Sequence, residues 1–161
     1  MRIYEQQKKP AKAEPLLRAL ADHVKEQFGT EAPAYAGQLN FLGKNLLQQQ
    51  KYAAAEPVLR ACLAIRAKRA PDDWVTFNTR SQLGGALLGQ KKYTDAEPLL
   101  LQGYEGMKQR EAKIPAVGKV RLTEALEWLV QLYEATGRKD KAAEWRKKLE
   151  VTRPAKPLAK P

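Results

Sequence analysis

Three copies of one phrase, Ala-Glu-Pro followed by two apolar residues, recur along this chain, at 13–17, 55–59 and 96–100. The alanines of successive copies are 42 and 41 residues apart, and a degraded fourth copy at 138–145 follows after a further 46. Repeats of this period stack as units, because no single unit can bury its apolar face alone. The sequence therefore predicts a helical repeat protein.

Apolar side chains recur at steps of three and four residues, which is the period of an amphipathic helix. Pro33 and Gly29 have the positions expected of a helix start and a helix end. An aspartate within 70–73 can cap the helix that follows, and Thr94 with Glu97 has the spacing of a capping box. We expect seven helices, over about 11–28, 33–49, 53–69, 74–89, 94–111, 120–135 and 140–151.

Two adjacent glycines, Gly84 and Gly85, interrupt the fourth predicted helix. Each costs about 1 kcal/mol relative to alanine in a helix interior, so we expect a neighbouring helix to approach closely there. Gly43 has the same place in the preceding unit. Cys62 takes a small position that we expect to be buried between paired helices.

The composition narrows the possible functions. A formal net charge of +11 favours solubility and attraction to acidic partners. A single cysteine excludes an internal disulfide, and no signal-peptide stretch is present, so we expect a cytoplasmic protein. No apolar run approaches the roughly 20 residues of a membrane span. No nucleophile, carboxylate pair or group of metal ligands has a usable spacing, and we expect neither enzyme activity nor a cofactor or metal.

The segment 39–66 resembles a tetratricopeptide repeat, in the form of roughly 42 residues found in kinesin light chains. That pattern places large and small residues at fixed positions of two helices, and this chain fills them twice. The matching residues are Leu39, Leu42, Gly43, Leu46, Ala55, Leu59 and Cys62 in one unit, and Leu83, Gly84, Leu87, Ala96, Leu100 and Gly103 in the next. The resemblance implies an all-α, right-handed α-solenoid of antiparallel helix pairs.

The resemblance also divides the chain into units. It implies a repeat domain over 1–151, with units at about 1–30, 34–70, 73–112 and 119–151. The first unit lacks most of its first helix, so we expect that the chain begins inside a repeat or is a fragment. Residues 152–161 hold three prolines and three basic residues, a composition that predicts a disordered tail.

Two further segments, 71–80 and 121–137, are similar to C-terminal repeat segments of large bacterial serine/threonine kinases and related signalling proteins. The chain itself has no glycine-rich loop followed by a strand lysine, no His-Arg-Asp segment and no Asp-Phe-Gly. If the parent protein is a kinase, its catalytic residues lie elsewhere.

In tetratricopeptide repeats, ligands bind the concave groove lined by the first helix of each pair. Transferred to this chain, the groove positions are mostly amides and charged groups. Amides both donate and accept hydrogen bonds, which suits the backbone of an extended peptide. The candidates are Asn40, Lys44, Gln48, Asn78, Ser81, Gln82, Glu127 and Gln131. The resemblance implies a non-enzymatic protein-interaction scaffold that binds a peptide or helix, within a larger bacterial signalling protein.

Two alternatives stay open for these residues. The groove amides are also compatible with ordinary solvated polar faces. Nucleic-acid binding would use the basic charge, but it requires cations interleaved with aromatic residues, and only 91–93 and 145–148 come close.

Self-association is a further expectation. The missing first helix should leave an apolar face on the first unit, and large bare apolar patches are uncommon on monomers. That face comprises Ile3, Leu16, Leu20 and Val24.

Overall fold

The computed structural model describes residues 10–152, which form seven α-helices and two short 3-10 helices. The α-helices are α1 (Pro10–Phe28), α2 (Pro33–Gln48), α3 (Tyr52–Arg69), α4 (Trp74–Gly89), α5 (Tyr93–Gln109), α6 (Val120–Ala135) and α7 (Lys139–Thr152). The 3-10 helices, Glu111–Lys113 and Ala116–Gly118, lie in the long connection before α6. All seven predicted helices are confirmed.

Most of the predicted helix ends are confirmed as well. Pro33 is the first residue of α2, and Gly29 follows α1 with a φ of +85°, a backbone conformation that glycine adopts without strain. Asp73 caps α4, because its side chain accepts a hydrogen bond of 3.1 Å from the backbone N–H of Val75.

The predicted capping box at Thr94 and Glu97 is wrong. Helix α5 begins at Tyr93, its N-cap residue is Lys92, and no side chain bonds to the cap. The Glu97 carboxylate instead accepts hydrogen bonds from residues of the next unit, where it gains a full positive charge as partner. A long-range ion pair has therefore replaced the local hydrogen bond that the spacing suggested.

Three helix pairs, α2/α3, α4/α5 and α6/α7, stack on α1, which is the second helix of the leading unit. Helix α4 is central, since it packs against α2, α3, α5 and α6. Polar residues are buried along it as a result: Thr76, Asn78, Thr79, Ser81 and Gln82. This crowding decides which groove candidates can reach solvent.

Glycines in the first helix of two pairs allow the second helix to approach. A Cβ added at Gly43 would lie 2.5 Å from Leu59 Cδ2, and one added at Gly84 would lie 2.7 Å from Leu100 Cγ. Both distances are too short for real carbon atoms, so a side chain at either position would push the pair apart. The close approach expected from the sequence is confirmed, and Cys62 is fully buried as predicted.

An ion pair joins each repeat to the next at the glutamate of the Ala-Glu-Pro phrase. The partner is a cation in the turn that precedes the second helix of the following unit. The pairs are Glu14–Lys51 at 2.8 Å, Glu56–Lys92 at 2.9 Å and Glu97–Arg138 at 2.7 Å. The repeated phrase therefore encodes contact between units as well as helix starts.

The apolar face expected on the first unit lies on α1. The exposed fraction is 44% for Leu16 and 63% for Phe28, and Leu20 and Val24 are half-buried. Ile3, the fourth predicted member, lies outside the described residues, as does the predicted tail beyond Thr152. The proposed division into units and tail stays a prediction.

Candidate functional site

A groove crosses the first helices of the three pairs, α2, α4 and α6. It contains a cleft of about 170 Å³, and four of the predicted residues line it together: Lys44, Gln48, Gln82 and Glu127. The remaining lining residues are Leu47, Arg121, Glu124 and Trp128. The structure therefore brings together half of the candidate set, with amides, charges and one large aromatic ring around a single opening.

An amide pair joins two helices within this groove. The Asn40 side-chain N–H donates to the Gln82 side-chain oxygen, which links α2 to α4. Gln82 is only 2% exposed, and its own amide nitrogen has no hydrogen-bond partner among residues 10–152. That nitrogen can donate to a ligand, and the Asn40 oxygen, also without a partner within the described part of the chain, can accept from one.

Two other candidates lie beneath the surface. Ser81 is 1% exposed because its backbone packs on α5, where a Cβ added at Gly103 would lie 2.6 Å from the Ser81 nitrogen. Asn78 is 6% exposed. Neither residue lines the cleft that Gln82 lines, because α4 has helices packed on most of its sides.

The last candidate, Gln131, lies in a second cavity of about 230 Å³ that three aromatic rings surround. The rings belong to Tyr52 at the start of α3, Tyr93 at the start of α5, and Trp128 on α6. Trp128 lines both openings, so the cleft and this aromatic cavity meet at its ring.

Two glycines of α4 leave the space in which two of these rings pack against the helix. A Cβ added at Gly85 would lie 2.7 Å from Trp128 Cε2, and one added at Gly89 would lie 2.4 Å from Tyr52 Cδ2. Neither Trp128 nor Tyr52 is among the site residues expected from the sequence. The glycines one helical turn apart on α4 were the available signal, because each leaves space for a ring from another helix.

The charges of the groove are largely satisfied within the protein. Arg121 donates to both oxygens of the Glu124 carboxylate, at 2.7 and 2.6 Å. Lys44 and Glu127 each interact with another group already, and Arg146 donates to Glu134. A ligand therefore meets internally paired charges beside amides and an aromatic surface.

Within residues 10–152, no group of three or more histidine, cysteine, aspartate or glutamate side chains could hold a metal ion. Over the same range, none of the helices combines the length and apolar character needed to cross a membrane.

Comparison with known proteins agrees with this arrangement. Residues 36–72, which comprise most of α2, all of α3 and part of the turn after α3, match the family model described as Tetratricopeptide repeat. This segment has the sequence pattern of one tetratricopeptide repeat. Tetratricopeptide repeats generally mediate protein–protein interactions, and repeat solenoids present extended concave surfaces for this purpose.

Solved structures extend the assignment to the whole fold. Two structures of nearly identical TPR-like repeats from a Podosopora anserina kinesin light chain, one of them a single-substitution variant, are similar to this chain. In each case the TM-score is 0.64 at 16% identity, over 94% of this chain and 90% of the other. The predicted tetratricopeptide-type α-solenoid of kinesin-light-chain form is confirmed. No curated protein matches the chain in sequence.

Proposed function

We propose that this chain is a non-enzymatic protein-interaction scaffold that binds an extended peptide or a helix in the groove of α2, α4 and α6. The observation that carries the proposal is the Asn40–Gln82 amide pair. Gln82 lines the cleft and is buried, Asn40 is half-buried beside it on α2, and the pair offers one unused donor and one unused acceptor. A peptide unit has one C=O and one N–H, which are the complementary groups.

Apolar contact supplies the rest of the binding energy in this proposal. Trp128 is half-buried and Leu47 lies beside it, so a ligand side chain can remove further apolar surface from water. The Arg121–Glu124 pair contributes less, because a ligand charge would compete with an existing partner. We expect selection for backbone shape and an apolar anchor more than for charge.

The similarity of 71–80 and 121–137 to repeat segments of bacterial kinases supports a place for this scaffold within a larger bacterial signalling protein. In that setting the groove would recruit a partner to an activity located elsewhere in the protein. The corresponding test is to measure whether the purified chain binds a peptide segment of such a partner.

The experiment starts from a random peptide library displayed on phage and selected on the immobilised chain. Selected peptides are then titrated against the parent chain, Asn40→Ala and Gln48→Ala. The matched control is Gln102→Ala, which removes an exposed amide on α5, outside the groove. Circular dichroism and thermal unfolding verify that each variant keeps its fold.

We expect Asn40→Ala to weaken binding about tenfold, equivalent to about 1.4 kcal/mol, and Gln102→Ala to leave it unchanged. Equal affinity for all of the variants would refute the groove as the binding site. Binding of duplex DNA that falls log-linearly with salt would instead favour the nucleic-acid alternative.

Self-association through α1 is a second proposed contact. Leu16 and Phe28 are exposed on α1, which within residues 10–152 has no preceding helix packed on it, and burying them would remove apolar surface from water. Sedimentation equilibrium of the parent chain against Leu16→Glu tests it. We expect a weaker association constant for the variant, and identical monomeric behaviour of both chains would reject this contact.

A further inference from the structure

We propose that the occupant of this groove is a proline-rich segment in the polyproline II conformation, and that residues 153–161 of the same chain occupy it. The segment reads Arg-Pro-Ala-Lys-Pro-Leu-Ala-Lys-Pro. This inference rests on the proposed function and names the class of ligand that the groove takes.

The aromatic cavity has the chemistry that proline-rich segments require. Such segments dock on aromatic-lined grooves, and their backbone carbonyls have no internal hydrogen bonds. Tyr52, Tyr93 and Trp128 supply ring faces for the proline rings. Among residues 10–152, neither the two phenol groups nor the Trp128 indole N–H has a hydrogen-bond partner, so all three can donate to ligand carbonyls.

The cavity is also held in place before a ligand arrives. Gly85 and Gly89 seat the rings of Trp128 and Tyr52 in space that side chains would otherwise fill. Rings fixed by packing lose little conformational freedom on binding, and polyproline II is itself a low-entropy conformation. Both partners are therefore preorganised.

The sequence of 153–161 has the matching period. Polyproline II has three residues per turn, so Pro154 and Pro157 lie on one face of such a helix. Arg153 and Lys156 lie together on another face. The same period places Lys160 in line with Pro154 and Pro157, so the part of this face from Pro154 to Pro157 is the part that can pack on aromatic rings.

The segment begins where it can reach the groove. Helix α7 runs antiparallel to α6 and ends at Thr152, beside the N-terminal end of α6. Nine residues of polyproline II extend about 28 Å, and the 16 residues of α6 extend about 24 Å. The segment is therefore long enough to run along α6 from the cleft at Arg121 to the cavity at Gln131.

Charge contributes little to this placement. The segment carries Arg153, Lys156 and Lys160 and no acidic side chain. The three glutamates of α6 already have partners, because Glu124 pairs with Arg121, Glu134 pairs with Arg146, and Glu127 interacts with another group. The proline rings and the backbone carbonyls therefore supply the preference for the groove.

The first experiment compares the indole N–H resonances of the full chain with those of the full chain carrying Pro154→Ala, Pro157→Ala and Pro161→Ala. Trp128→Phe assigns the Trp128 resonance, and the resonances of Trp74 and Trp145 serve as internal controls. We expect only the Trp128 resonance to move, by the same amount at every protein concentration. An unchanged Trp128 resonance would overturn the proposal, and a concentration-dependent one would assign the contact to a second copy and overturn the placement on the same chain.

The second experiment titrates a synthetic peptide of sequence 153–161 into the full chain with the three proline substitutions. The control peptide has alanine at all three prolines and keeps every charge. We expect the proline peptide to bind at least about tenfold more tightly than the control, and more weakly to the parent chain, whose own segment competes. Equal binding of the two peptides would mean that net charge alone accounts for the binding, and it would overturn the proposal.

The library peptides separate this inference from the proposed function. If they bind in the groove and the proline peptide does not, the scaffold function stands and the assignment of 153–161 is wrong. If neither the library peptides nor the proline peptide binds, the scaffold function and the assignment of 153–161 are both wrong.

Discussion

Arg138, in the turn between α6 and α7, donates two parallel hydrogen bonds to the Glu97 carboxylate on α5, at 2.8 and 2.7 Å. Tyr133 donates a third to the same carboxylate, at 2.9 Å, and its ring lies 4.6 Å from the Arg138 guanidinium carbon. Burial and the bond to Glu97 raise the pKa of Tyr133 to about 12. The ion pair with Arg138 and the hydrogen bond from Tyr133 therefore join one repeat to the next through Glu97, a glutamate of the repeated phrase.

Breaking the ion pair between Glu97 and Arg138 should destabilise the C-terminal repeat. We expect Glu97→Gln to lower the free energy of unfolding by about 1–2 kcal/mol, because the charge-assisted bonds to Arg138 lose their ionic character. Urea unfolding followed by circular dichroism measures the change. Glu105→Gln, an exposed position on the same helix, is the matched control, and an equal effect of both substitutions would mean that the pair adds no stability.

Stability should fall in acid through the equivalent glutamates. The hydrogen bond from Lys51 is the largest cause that lowers the pKa of Glu14 from 4.5 to about 2, and Lys92 has the same effect on Glu56. A depressed folded pKa gives stability that is present above the unfolded value near 4.5 and is lost as the pH falls toward 2. We expect the free energy of unfolding to decrease over this window. The double variant Glu14→Gln, Glu56→Gln should lose less free energy of unfolding than the parent between pH 5 and pH 2. If the free energy of unfolding fell equally with pH in parent and variant, these two glutamates would not be the cause.

Substitution by alanine at two glycines should change the free energy of unfolding in opposite directions. At Gly103 a Cβ would lie 2.6 Å from the Ser81 backbone nitrogen, and backbone cannot move aside as a side chain tip can. We expect Gly103→Ala to cost about 2 kcal/mol. At Gly37 no atom lies within 4 Å, so Gly37→Ala should gain about 0.5–1 kcal/mol from helix propensity. Thermal unfolding of both variants checks the contrast, and a loss at both positions would show that packing at Gly37 had been misjudged.

The turns inside the helix pairs carry backbone strain that glycine should relieve. Gln50 and Lys91 have φ values of 57° and 61°, and Gly137 occupies the equivalent place in the last pair with a φ of 71°. The left-handed region costs a residue with a Cβ about 1 kcal/mol or more. We expect Lys91→Gly to stabilise the chain by about 0.5 kcal/mol after the entropy of glycine is included, and Gly137→Ala to destabilise it. Chemical denaturation of both variants measures this, and stabilisation by Gly137→Ala would exclude the strain argument.

Local patterns explain why much of the fold could be predicted. Apolar residues at helical steps predicted every helix, and Gly84 correctly indicated a close helix contact, because both signals act within one or two helices. Glu97 shows the limit of this reasoning. Its spacing from Thr94 suggested a cap, whereas its partner Arg138 lies 41 residues away and is reached only when the units stack.

The candidate site was predictable only in part, for a similar reason. Gln82 and Lys44, which the repeat register assigned to the groove, line one cleft. Ser81 was assigned to the groove by the same register, but it packs against Gly103, because α4 is enclosed by four neighbouring helices. A helix at the centre of a solenoid has less solvent-facing surface than its sequence pattern implies.

By itself the sequence determined that the chain folds into stacked helix pairs, approximately which residues each helix contains, and which small residues allow the helices to approach. These are properties of local backbone preference and of a repeated pattern. The tertiary structure alone decided that Tyr52, Tyr93 and Trp128 surround one cavity, and that each repeated glutamate finds a cation in the next unit. Such contacts join residues tens of positions apart, and their distances follow from the packing of whole helices and from no single segment.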